Sequence, residues 1–131
     1  MKQTPMLAFE SVVFPDAPDG TGKTNSGAHG RDLANWLADQ LRTAGVPAQK
    51  VIPEDFGWCV HVKPESQQSM YVVCAGSPEG PNKWKVFAFT EEGVISKLMG
   101  KDKTADPLTE LFGVVKQCLL EDPTIENLRQ E

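Results

Sequence analysis

Two adjacent carboxylates are the residues of this chain whose types best suit acid–base chemistry. Glu54 and Asp55 stand side by side between Pro53 and Gly57, and general acid–base catalysis often combines two such groups. Neighbours in an extended segment point to opposite sides, so the pair would share one substrate only across a bulge. Asp55 could equally bond backbone amides of the turn. We expect turn structure or an acidic tip that binds a partner, with catalysis as the alternative.

A second group of residues has types that bind metals. Cys59 and His61 share one face of a predicted strand, and Cys74 lies on the next strand. Zinc needs four protein ligands, or three and a water, and His29 could complete the set. Alternation nevertheless places Cys74 with the other face of its strand, and a thiol in apolar surroundings behaves as a small hydrophobe. We therefore expect neither a metal nor any other cofactor.

The third candidate is a glycine-rich stretch that resembles part of a phosphate loop. Residues 20–24 read Gly-Thr-Gly-Lys-Thr and lie between a predicted strand and a helix, which is the context such a loop requires. The first glycine of the pattern is replaced by Ala17, and Pro18 removes a backbone donor. We expect a flexible loop over residues 15–30 rather than a nucleotide site.

The composition limits the class of protein. The 131 residues favour one domain, 1–131, and 40% hydrophobic with 24% charged residues is typical of soluble domains. A net charge of −5 with scattered lysines argues against nucleic-acid binding. The apolar runs are too short to cross a membrane. Three cysteines without a CxxC pair, and no charged and apolar leader, predict a cytoplasmic protein with reduced thiols.

The elements that must position these residues follow from periodicity and turn signals. Leu33, Trp36, Leu37 and Leu41 recur at helical spacing, and Gly45 is suited to end that helix. The first predicted elements are a strand at 6–14, a helix at 28–44 and a second strand at 48–63, which a bulge, an edge or a turn at 53–57 should interrupt. They are followed by strands at 69–75 and 83–90, a short strand or helical turn at 94–98, a helix at 106–120 and a short helix after Asp122-Pro123.

This order predicts an α+β fold with two layers. A mainly antiparallel sheet of four to five strands should carry two main helices on one face, in the order β-α-β-β-β-(β)-α. The helix-facing layer should contain Trp58, Val60, Val62, Trp84 and Val86, packed on Leu33, Trp36, Leu37, Leu111 and Val115. The other face should show Cys59, His61, Tyr71, Val73, Phe87 and Phe89. Since that set is too apolar for a solvated surface, we expect a partner or a second copy to cover it.

One part of the chain resembles a known group of proteins. Residues 33–37 (Leu-Ala-Asn-Trp-Leu), Ala44-Gly45-Val46 and residues 53–58 (Pro-Glu-Asp-Phe-Gly-Trp) resemble small uncharacterised bacterial proteins. The resemblance covers residues 30–62 and implies no activity. The size, the acidity and the apolar sheet face are also similar to those of secretion chaperones, which begin with a helix rather than a strand.

We interpret the chain as a non-enzymatic cytoplasmic protein-binding module, of the kind of an immunity-type inhibitor or an effector chaperone. It would bind a protein partner, or form a homodimer, through the apolar sheet face, without nucleic acid or membrane. The expected binding residues are Glu54, Asp55, His61, Tyr71, Phe87 and Phe89. The alternative is a small enzyme or ligand-binding domain that uses Glu54, Asp55 and His61 beside the loop at 16–30.

Overall fold

The structure is a computed structural model that describes residues 2–14, 30–54, 57–64, 69–77, 82–90 and 107–131. In these ranges the chain forms seven strands and two helices. Their bounds are β1 Lys2–Gln3, β2 Leu7–Glu10, α1 Arg31–Thr43, β3 Ala48–Glu54, β4 Gly57–Val62, β5 Met70–Gly76, β6 Lys83–Thr90, α2 Pro107–Glu121 and β7 Glu126–Gln130. The predicted piece at 94–98 and residues 15–29 of the loop predicted at 15–30 lie outside the described residues.

All the strands belong to one antiparallel sheet. Its order is β3-β4-β5-β6-β2-β7. Strand β1 also pairs with β6, beyond the amino-terminal end of β2. Strands β3 to β6 form a meander, in which each strand pairs with the next one along the chain. The predicted α+β class with two helices and a mostly antiparallel sheet is confirmed. The predicted count of four to five strands was too low, because β1 and β7 were not foreseen and because β3 and β4 were predicted as one interrupted strand.

Both helices lie on one face of the sheet and bury their apolar stripes there. Helix α1 buries Leu33, Leu37 and Leu41, and α2 buries Leu111 and Val115. From the sheet, the same core receives Val60, Val62, Val72, Trp84 and Val86, with Trp36 and Trp58 packed against it. The predicted helix-facing layer is therefore confirmed. The opposite side of the sheet is called the rear face below.

The end of α1 follows from its sequence. Gly45 has a φ of 90°, which a glycine adopts without steric cost. Its N–H donates to the carbonyl of Arg42 at 3.0 Å, and the N–H of Val46 donates to the carbonyl of Leu41 at 2.8 Å. These two bonds form a Schellman motif, which satisfies carbonyls that the last helical turn leaves without partners.

Thr4 joins the two amino-terminal strands to β6. The backbone N–H of Thr4 donates to the carbonyl of Ala88 at 2.9 Å, and the N–H of Ala88 donates to Thr4 Oγ1 at 3.0 Å. The register shifts by one residue between β1 and β2, from Gln3 opposite Phe89 to Leu7 opposite Val86. The side chain of Thr4 thus replaces a backbone acceptor where the ladder is interrupted.

The predicted carboxy-terminal helix is wrong, because residues 126–130 form strand β7. Asp122 Oδ1 accepts the N–H of Thr124 at 2.7 Å, which closes a turn rather than opening a helix. A bulge then adds one residue to β7, so that Ile125 and Leu128 both face the core. Their three-residue spacing imitates a helical stripe.

Two further boundaries differ from prediction. The strand expected at 6–14 ends at Glu10, and Val12 and Val13 beyond it are 76% and 46% exposed. The interruption expected at 53–57 divides two separate strands, because β3 continues through Pro53 to Glu54 and the antiparallel β4 begins at Gly57. Since β3 is an edge strand, a proline there can be accommodated without loss of a ladder bond.

Candidate functional site

The rear face carries most of the residues that the sequence singled out. Because side chains alternate along a strand, the residues between the core positions of β4, β5 and β6 all point to this face. One register row joins His61, Tyr71 and Phe89, and the next joins Cys59, Val73 and Phe87. The structure thus brings His61, Tyr71, Phe87 and Phe89 together on one face.

The first row is a continuous stack of rings, which we call the aromatic ladder (His61, Tyr71 and Phe89). The His61 and Tyr71 centroids lie 5.2 Å apart with ring planes 15° from parallel. The Tyr71 and Phe89 centroids lie 5.1 Å apart with planes 20° from parallel. Both separations fall in the range of favourable ring pairs. All three side chains are partly buried, so each also keeps some contact with solvent.

Hydrogen bonds hold one end of the aromatic ladder. His61 Nε2 lies 3.0 Å from the hydroxyl of Ser69. The carbonyl of Ser69 accepts the hydroxyl of Thr90 at 2.9 Å, which ties the start of β5 to the end of β6. The imidazole therefore has a polar partner at one edge and a stacked ring on its face, an arrangement that limits its rotation.

The centre of the rear face is not open to solvent. Cys59 and Val73 are only 2% and 1% exposed, whereas the aromatic ladder and Phe87 are partly buried. The accessible apolar area on this face is therefore smaller than the sequence suggested, and it is concentrated on four aromatic side chains.

Neither cysteine of the meander is suited to be a nucleophile. Burial, with a smaller contribution from the negative charge of Glu54, raises the pKa of Cys59 from 9.0 to about 12. Burial also raises the pKa of Cys74, and Cys59 adds to the shift. Both thiols are protonated at neutral pH, and the protonated form is unreactive.

The residues considered for zinc do not converge. Cys74 belongs to the core on the helix side, and Cys59 points to the rear face. His29 lies outside the described residues. Within the ranges that the structure describes, no group of three His, Cys, Asp or Glu side chains could hold a metal ion.

The proposed acid–base residues are also apart. Glu54 lies opposite Gly57, four residues along β4 from His61. At about 3.3 Å per residue this separation is roughly 13 Å, which is too far for one hydrogen-bonded pair. Asp55 lies outside the described residues.

Charged residues flank the aromatic side chains on the rear face, and the sequence did not identify them as a group. The ammonium of Lys85 lies 3.4 Å from the carboxylate of Glu131, and the guanidinium of Arg129 lies 3.3 Å from the same carboxylate. The sequence predicted the orientation of Lys85, since alternation along the strand places it on the same face as Phe87 and Phe89. Arg129 and Glu131 were missed because the last strand was predicted as a helix.

On the helix side, Trp58 lies near the start of α1. The guanidinium of Arg31 lies 5.7 Å from the centroid of its ring, a cation–π distance. Among the described residues, the indole Nε1 of Trp58 is the buried side-chain nitrogen that has no hydrogen-bond partner.

Gly30, just before α1, packs closely on β5. A Cβ at this position would lie 2.5 Å from the carbonyl oxygen of Cys74.

A small cleft opens between the end of α1 and the start of α2. Its volume is about 220 Å³, and it is lined mainly by apolar side chains, among them Val46, Met70, Leu111 and Val114. Sites for drug-sized ligands usually begin near 300 Å³. This cleft is therefore suited to a single side chain rather than to a cofactor.

In the described part of the chain, neither helix has the length and apolarity that a membrane span requires. Comparisons with models of known protein families, with curated proteins and with solved structures give no match.

Proposed function

We propose that this chain is a non-enzymatic, cytoplasmic protein-binding module that binds a partner protein through its rear face. The single observation that carries the proposal is the aromatic ladder, which crosses three adjacent strands and keeps its rings partly accessible. Phe87 extends this apolar area on β6, one register row away.

The chemistry of the surface supports this proposal. Aromatic side chains are enriched in protein interfaces, where a few rigid rings often supply most of the binding energy. The ladder is held in place by stacking and by Ser69, so little side-chain entropy would be lost on binding. The neighbouring charges of Lys85, Arg129 and Glu131 resemble the polar rim of an interface, which chiefly sets association rate and selectivity.

Glu54 extends the proposed surface towards β3. It lies two residues beyond Ile52, which is opposite Cys59, so it belongs to the same face of the sheet. A carboxylate there, in a chain of net charge −5, favours a partner with basic residues at this end. Occlusion of a toxin or escort of an effector would both suit such a surface.

The alternative, a small enzyme or ligand-binding domain, draws less support from the geometry. It requires Glu54 and His61 to act on one substrate, yet Glu54, at the end of β3, lies opposite the start of β4, and His61 lies four residues further along β4. The protonated thiol of Cys59 between them supplies no nucleophile. We therefore prefer the protein-binding function.

The test compares proteins captured from native lysate by four tagged forms of the chain. These are the wild type, Phe89→Ser, the double variant Phe87→Ser/Phe89→Ser, and the matched control Leu120→Ser. Leu120 is 58% exposed on α2, away from the rear face. Circular dichroism verifies that each variant is folded.

The proposal expects a partner that the wild type and Leu120→Ser retain equally and that the rear-face variants lose. Equal capture by all four folded proteins would contradict it. Sedimentation of the purified wild type is the second arm: a dimer that Phe89→Ser dissociates would identify a second copy of the chain as the occupant.

A further inference from the structure

The outer edge of β3 is the place where this sheet could add another strand. β3 is the first strand in the sheet order and pairs only with β4 within the described chain. An edge strand with unused N–H and C=O groups is a template for pairing with another chain. The groups that point outward from β3 therefore decide whether this edge is open.

The hydrogen-bond pattern identifies the outward groups at the start of β3. The N–H of Lys63 donates to the carbonyl of Pro47 at 3.1 Å. Bonded and non-bonded pairs alternate in an antiparallel ladder, so the next pair, Ala48 and Val62, is non-bonded. The N–H and the C=O of Ala48 therefore both point outward from the sheet. The N–H of Ala48 already donates to the carbonyl of Val46 at 2.8 Å.

Arg42 donates hydrogen bonds to two carbonyls at the start of β3. Its Nε donates to the carbonyl of Ala48 at 3.2 Å, and its Nη2 donates to the carbonyl of Gln49 at 2.8 Å. A bulge between Ala48 and Val51 explains why two successive carbonyls reach one guanidinium. The carboxylate of Asp39, 2.9 Å from Nη1, orients the group.

Pro53 acts at the other end of β3. The alternation of bonded and non-bonded pairs continues along β4, so the pair of Pro53 and Trp58 is also non-bonded. The nitrogen of Pro53 therefore faces outward. A proline nitrogen carries no hydrogen and cannot donate to an incoming strand. Val51 therefore lies between two blocked positions: the carbonyls of Ala48 and Gln49, which Arg42 binds, and Pro53, which has no N–H to donate to an incoming strand.

We propose that Arg42 and Pro53 together guard the β3 edge against pairing with the β3 edge of a second copy of this chain. Arg42 occupies the acceptors that the second copy would need, and Pro53 withholds a donor. These two residues prevent association through the β3 edge, whatever the rear face binds. This inference is independent of the proposed function.

The test uses Arg42→Ala, Pro53→Val and the double variant, all in the Phe89→Ser background so that association through the rear face is not counted. Sedimentation velocity measures the concentration at which half of the chains associate. Hydrogen exchange measures protection of the Val51 N–H. Val115→Ala in the same background, a core truncation that leaves β3 intact, controls for association caused by lower stability.

The proposal expects the double variant to associate at a concentration at least tenfold lower than its parent, with slower exchange at Val51 in the associated form. Each single variant should fall between the two. Two results would overturn it: a double variant that sediments and exchanges like its parent, or equal association of Val115→Ala.

Discussion

Tyr71 should contribute more to stability than either of its neighbours in the aromatic ladder, because it is the ring that stacks on both sides. Its centroid lies 5.2 Å from that of His61 and 5.1 Å from that of Phe89. An aromatic pair contributes about 0.5–1.5 kcal/mol beyond the area it buries. Tyr71→Leu retains apolar bulk but removes two pairs, so we expect a loss of about 1–3 kcal/mol in the free energy of unfolding. Phe89→Leu removes one pair and should lose about half as much.

Urea unfolding followed by tryptophan fluorescence measures both losses, since Trp58 and Trp84 lie within the sheet. A double-mutant cycle between Tyr71→Leu and Phe89→Leu isolates the energy of their contact from other effects of each substitution. If Tyr71→Leu costs no more than Phe89→Leu, or if the cycle gives no coupling, the three rings do not stabilise one another as a stack.

Three other predictions concern residues of the fold outside the aromatic ladder. Thr4→Val should cost about 1–3 kcal/mol, because it leaves the buried N–H of Ala88 without an acceptor; Thr4→Ser should restore most of the loss in the same urea titration. Gly30→Ala should destabilise the fold more than Gly45→Ala, since both have positive φ but only a Cβ at Gly30 meets a backbone carbonyl; equal melting temperatures would contradict this. Burial raises the pKa of Cys59 from 9.0 to about 12, so between these values the unfolded chain releases a proton that the folded chain keeps. Stability should then fall as pH rises above 9, by up to about 1.4 kcal/mol per pH unit for this thiol, and Cys59→Ala should reduce that slope.

The elements that local patterns determine were the most predictable. Strand β6 was predicted with its observed bounds, because Trp84, Val86 and Ala88 alternate with Lys85 and Phe87. Helix α1 was predictable because an apolar stripe is followed by a glycine that ends it. Alternation also placed His61, Tyr71, Phe87 and Phe89 on one face before any pairing was known.

The order of the strands depends on contacts between distant parts of the chain, which no local pattern encodes. The insertion of β2 between β6 and β7 is such a contact. Strand β7 was missed because its bulge gives Ile125 and Leu128 a helical spacing. The stacking of the ladder depends on the register of two hairpins, so the sequence could predict a shared face but not the contact of its rings.

Site-specific photocrosslinking shows whether the aromatic ladder contacts a partner protein. A photoreactive phenylalanine is placed at Phe89 in one protein and at Leu120 in another, and both are irradiated in native lysate. We expect discrete adducts of defined mass from position 89 and none of the same mass from position 120. No adduct from position 89 in a folded protein, or identical adducts from both positions, would contradict it.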